Sequence, residues 1–125
     1  MDAANLNWPA VIAGTVAAFV LGMLWFSPRL FGRGWSEGSH GITPPDSPPV
    51  LAMVLTLAGL FLLALVVGMT ETAEAIGTAV AAIFAVAVMI AGMDLFSQKS
   101  GKATLIDAGY IVACGVLMIA AQGIL

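Results

Sequence analysis

Four uncharged stretches, residues 3–28, 47–70, 75–93 and 108–125, fill most of the 125-residue chain and leave three polar breaks between them. Each is close to the ~20 apolar residues that a helix needs to cross the hydrocarbon layer of a bilayer. In lipid, backbone amides must be satisfied internally, which restricts membrane-spanning chains to helices or a closed barrel. Barrel strands alternate lipid-facing and lumen-facing residues over about ten positions. The run VLAMVLTLAGLFLLALVVGM is apolar almost without interruption, so the stretches read as helices. The expected fold is all-α, a single transmembrane domain of four helices at about 7–27, 50–70, 73–96 and 105–124, with a connector at 28–49.

Composition agrees: 61% of residues are hydrophobic and 9% charged, whereas about a quarter of a soluble domain is charged. The net charge of −3 rests on few groups and offers no basic surface for nucleic acid. The single cysteine, Cys114, lies inside the fourth run and has no partner in the chain for a disulfide. The first run is not a cleavable leader: no Lys or Arg precedes it, and it ends in WFSPR rather than at a small-residue cleavage site.

Local signals set the expected boundaries. Asn7 is placed to cap the first helix, with Pro9 in the first turn where no amide bond is lost. Pro28 stops it, because the residue before a proline disfavours helix. The connector opens with RLFGRGW, basic and aromatic residues suited to the headgroup level, and continues into the extended, proline-rich GITPPDSPP. A short turn bearing Glu71 and Glu74 is expected to lead into the third helix, whose first turn is favoured by acidic side chains. Thr104 and Asp107 have capping-box spacing before the fourth, with Asp in place of Glu or Gln.

The basic residues set the expected orientation. Arg29 and Arg33 fall in the first connector, Lys99 and Lys102 in the third, and there are no others. Connectors one and three of a four-helix serpentine share a side, and positive residues stay cytoplasmic. This gives an N-out, C-out protein of the cell's inner membrane. Trp8, Trp25, Phe31, Trp35 and Tyr110 fall near span ends as interface anchors, Tyr110 reading alternatively as a hydrogen bond across to another helix, and Arg29 and Arg33 suit anionic lipid headgroups.

Small residues recur every four positions at Ala10, Gly14, Ala18 and Gly22, and again at Ala73, Gly77, Ala81 and Ala85. Gly109 and Ala113 begin a shorter series. Such stripes let helix backbones approach closely in lipid, so helices one and three are expected to supply the tight packing faces. Spacing leaves open whether these faces meet each other or a second protein.

The elements Asn7-Trp8, GMLWFSP at residues 22–28, Leu30-Phe31-Gly32 and Trp35, together with LIDAGY at residues 105–110, resemble the bacterial DUF1761 family. The resemblance implies a small four-helix membrane protein and carries no activity. Phe26 stands where tyrosine is common in that family, so a hydroxyl there is not essential.

Ionisable groups within a span are functional candidates, and none lies at midspan. A proton-coupled multidrug exchanger of this size needs a carboxylate in its first helix, which is uncharged here. Asp94 and Asp107 flank the third connector. They read either as structural partners, Asp107 capping with Thr104 and Asp94 pairing with Lys99 or Lys102, or as a cation or proton site with Tyr110. His40 has no second ligand nearby, so no metal site is expected. No phosphate loop, no nucleophile–base set and no cofactor motif is present. The expected function is therefore non-enzymatic: an accessory or structural subunit of a larger membrane complex, or a homo-oligomer, whose partners are the lipid bilayer and other membrane subunits or itself. A respiratory or photosynthetic assembly is one host this reading admits, and no residue selects it. The alternative is a small-solute or ion transporter using Asp94, Asp107 and Tyr110.

Overall fold

The computed structural model describes residues 5–125; Ala3 and Ala4, the start of the first apolar run, lie outside the described residues. The described residues form five helices and no strand: α1 (Trp8–Trp25), α2 (Gly32–Gly38), α3 (Val50–Thr72), α4 (Ile76–Phe96) and α5 (Gly101–Ile124). Four of them, α1, α3, α4 and α5, are long and apolar enough to cross a membrane. At 1.5 Å per residue their 18 to 24 residues span about 27–36 Å, against roughly 30 Å of hydrocarbon.

The helix ends follow from backbone chemistry. The Asn7 side chain accepts from the Ala10 amide at 3.2 Å. α1 ends at Trp25, ahead of Pro28, and the chain folds straight back: Ser27 accepts from the amides of Leu30 and Gly32, and Phe31 donates to the Trp25 carbonyl. That reversal launches α2, a helix that a basic–aromatic headgroup segment did not predict. The two short turns each place one residue in the left-handed region, Glu74 (φ 52°) after α3 and Gln98 (φ 60°) after α4, the conformation that commonly closes a helix C-terminus.

Two expected boundaries are corrected. α3 runs on to Thr72 and α4 starts at Ile76 rather than near residue 73, so Glu74 stands in the turn as expected while Glu71 belongs to the last turn of α3. α5 starts four residues earlier than Thr104 and Asp107 suggested. Ser100 is its cap, accepting from the Ala103 amide at 3.1 Å, while the Thr104 hydroxyl donates back to the Ser100 carbonyl at 2.9 Å. Asp107 therefore lies in the second turn and caps nothing.

α5 is the hub, packing on α1, α4, α2 and α3, with its closest pairings to α1 and α4. Its buried stripe is Ala103, Ile106, Tyr110, Cys114, Met118 and Gln122, spaced by three and four residues so that one face of the helix carries the core. α1 meets this stripe with Ala10, Gly14 and Ala18, all buried. A side-chain carbon added at Gly14 would come within 3.3 Å of the Met118 Cα, so glycine is what admits this approach. Likewise a carbon at Gly115 would strike three atoms of Ile83, the nearest at 2.5 Å, which sets α4 close to α5.

The small-residue stripe of α4 turns the other way. Ala73 falls outside α4, at the cap of α3, and Gly77, Ala81 and Ala85 are exposed, so α4 packs through Ala79, Ile83, Ala87 and Asp94 instead. Within the chain the tight faces belong to α1 and α5, not to α1 and α4. The α4 stripe avoids the core because Ile83 fills the space beside Gly115, leaving the small side chains on another flank.

Candidate functional site

The basic side chains and the ion pairs among the described residues gather at one end of the bundle, where the first and third connectors meet. α4 unwinds at Ser97 and the turn delivers Lys99 between two carboxylates. Its Nζ lies 3.8 Å from Asp94 Oδ1 and 3.4 Å from Asp107 Oδ2. Asp94 comes from the last turn of α4 and Asp107 from the second turn of α5, so one ammonium ties both helices. The site carries two negative charges against one positive. Asp94 is only 8% exposed, and its Oδ2 has no hydrogen-bond partner among the described residues.

α2 closes over this cluster. The Gly38 carbonyl accepts from the Ser100 amide at 2.8 Å, and His40 Nε2 lies 2.8 Å from the Ser97 carbonyl, a bond in which the Nε2–H tautomer donates. The Trp35 ring sits under Lys99, with the ammonium 4.9 Å from its centroid, where the negative face of the indole attracts a cation. Trp35 in turn meets Phe26 edge-on at 5.8 Å. Close seating requires the glycines of GRGWSEG. A side-chain carbon at Gly34 would fall 2.7 Å from Lys102 Cε, and one at Gly38 would overlap Ser100 Oγ. Lys102 is thus laid against α2, and Lys99 alone serves the carboxylates.

Tyr110 does not join Asp94 and Asp107. Its hydroxyl donates to the Ala18 carbonyl of α1 at 2.7 Å, and the ring is buried, so neither the anchor reading nor the three-residue ion site holds. Trp25 makes the reciprocal bond: its Nε1–H donates to the Ile106 carbonyl of α5 at 2.9 Å. Each helix therefore sends one aromatic donor into the backbone of the other. Gly22 permits this, since a side-chain carbon there would lie 2.7 Å from the Tyr110 hydroxyl. Interhelical hydrogen bonds in membranes each contribute about 0.6 kcal/mol, so these two act chiefly on register. The glycine three residues before Trp25, opposite a lone tyrosine in α5, was the available signal.

The other expected residues are distributed as follows. Phe31 packs on Trp25 with ring centroids 4.7 Å apart, Trp8 is exposed near the opposite end of α1, and Arg29 and Arg33 are exposed beside α2. Gly109 lies against Trp25 and Ala113 is half-buried. Cys114 is fully buried in the core. Among the described residues no three His, Cys, Asp or Glu side chains come close enough to hold a metal ion.

Comparison with known proteins adds one relation. A family model described as "Protein of unknown function (DUF1761)" matches residues 9–123. No curated protein and no solved structure matches the chain.

Proposed function

The chain belongs to the DUF1761 family, whose function is unknown, and from that starting point we propose that it works through contacts inside the membrane. In this reading it is a non-enzymatic, multi-pass protein of a bacterial inner membrane. It acts as an accessory or structural subunit of a larger assembly, or as a homo-oligomer, with both termini outside and the Lys99 cluster on the cytoplasmic side. The observation that carries it is the outward stripe of α4. Gly77, Ala81 and Ala85 lie exposed alongside the exposed bulky side chains Val80, Phe84 and Val88. A stripe of small residues beside one bulky ridge suits the close approach of another helix, and dispersion over that contact drives association in lipid.

Cross-linking tests this directly. With Cys114 replaced by alanine, Ala81→Cys should give discrete cross-linked species in native membranes at native expression, each identified by mass spectrometry as a fixed partner or a second copy. Ala81→Trp should abolish association of the otherwise unmodified protein during mild-detergent extraction. Extraction as a lone monomer, with no cross-link through position 81, would defeat the proposal.

A second reading, transport of a cation or proton, draws support from the unpartnered oxygen of Asp94 beside Asp107. It predicts that Asp107→Asn abolishes ion-coupled uptake into vesicles while the helices stay intact by circular dichroism. Uptake equal to that of the parent protein removes this reading.

A further inference from the structure

α1 and α3 are closed together at one end and open at the other. Residues 50–59 of α3 are all exposed, whereas its buried residues, Leu60, Ala64, Val67, Gly68 and Thr70, all lie from Leu60 onward. The half next to the proline-rich connector leaves a crevice of about 560 Å³, walled by Gly22 and Met23 of α1 and by Met53 and Thr56 of α3, with Tyr110 among its lining residues. A second recess of about 530 Å³ adjoins it between α2 and the connector, lined by Arg33, Ser36, Glu37 and Thr43. Phe26 and Trp35 line both. Each volume lies in the range of small-molecule sites.

The two recesses differ in chemistry. The crevice is almost wholly apolar and lies at bilayer depth. The recess beside α2 holds one cation and one anion, Arg33 and Glu37, one helical turn apart. Both are exposed, and neither forms an ion pair among the described residues. The indole N–H of Trp35, on the shared wall, also has no acceptor among the described residues. An occupant must therefore join a hydrocarbon chain to a headgroup carrying both signs of charge.

We propose that the paired recesses bind one aminophospholipid, with an acyl chain in the crevice, its phosphate at Arg33 and its ammonium at Glu37. A helix from a second copy fits less well. Its apolar stretches are uncharged, so although the crevice continues between α1 and α3 as far as Phe61, such a helix would leave Arg33 and Glu37 unmatched. A purely anionic headgroup would set its charge against Glu37. A choline headgroup has no N–H to donate to that carboxylate.

The site goes beyond the α4 contact proposed above and stands without it. The test is native mass spectrometry of the full chain released from nanodiscs containing equal parts phosphatidylethanolamine, phosphatidylglycerol and phosphatidylcholine. One phosphatidylethanolamine should be retained about fivefold over each of the others, the discrimination expected of one exposed charge pair. Arg33→Met should lower retention of both phosphatidylethanolamine and phosphatidylglycerol. Glu37→Gln should erase the preference between those two, and Ala52→Trp should fill the crevice and expel the lipid. Both headgroup substitutions are on the exposed face of a short helix, and circular dichroism checks that the fold survives. Equal retention of the three lipids, indifference to Arg33→Met and Glu37→Gln, or a second protein copy held through the crevice would each overturn the proposal.

Discussion

Exchanging Lys99 for methionine should lower the stability of the folded protein by about 3 kcal/mol, at the lower end of what removing one partner from a buried ion pair costs. The side chains of Lys99, Asp94 and Asp107 are only 19%, 12% and 15% exposed, so water does little to screen the two carboxylates left behind. The substitution also removes the cation above Trp35, and with it one of the contacts that hold α2 to the α4–α5 turn. Arginine at 99 should retain most of the stability because the charge persists. Combining Lys99→Met with Asp94→Asn should recover part of the loss, since it relieves the carboxylate–carboxylate repulsion. Chemical unfolding in bicelles, run as a double-mutant cycle, gives these values. A loss under about 0.5 kcal/mol for Lys99→Met, the size of an exposed pair, would show that the cluster holds nothing together.

Gly32→Ala should be nearly as damaging, for a different reason. The added carbon would lie 2.8 Å from both the carbonyl carbon and the oxygen of Ser27, and closer still to the Phe26 oxygen. These are backbone atoms, fixed by the bonds from Gly32 to Ser27 and from Phe31 to Trp25, 2.9 and 3.1 Å long, and no rotamer change clears the space. α2 must lift away from the end of α1, costing about 3 kcal/mol, the upper end for overpacking. Gly59→Ala and Gly92→Ala serve as controls. Nothing lies within 4 Å of an added carbon at either, so both should leave stability unchanged or raise it slightly through helix propensity. The same unfolding assay distinguishes the three. Equal behaviour of Gly32→Ala and the controls would mean that the reversal at residues 26–32 is not seated as described.

Most of the architecture was legible because span length and hydrophobicity are properties of the chain itself. The four long helices, the cap at Asn7 and the stop before Pro28 all follow from local chemistry. Which face of each helix looks inward did not follow. In lipid the outward and inward faces are equally apolar, so periodicity loses the contrast that marks a buried stripe in water. The small residues of α1 and α4 therefore looked equivalent, and only the neighbours of Ile83 and Gly115 separate them. The start of α5 is misplaced because the Thr104–Asp107 spacing imitates a capping box, whereas Ser100 supplies the cap. Asp94 and Asp107 could be singled out as the few charges near a span. That Lys99 joins them, and that Tyr110 turns instead to Ala18, depends on helix rotation. α2 was hidden because GRGWSEG has poor helix propensity. It forms through docking on Lys99, Lys102 and Ser100.

The arrangement requires the first and third connectors to share one side of the membrane and the α3–α4 turn to occupy the other. Single cysteines at Ser47, Ala73 and Ser97, each in a Cys114→Ala background, report this when intact cells are treated with a membrane-impermeant maleimide. Ala73→Cys should react from outside, while Ser47→Cys and Ser97→Cys should react only after the cells are permeabilised. Reaction of Ser47→Cys and Ser97→Cys from opposite sides of the membrane would contradict both the four-span path and the cluster built around Lys99.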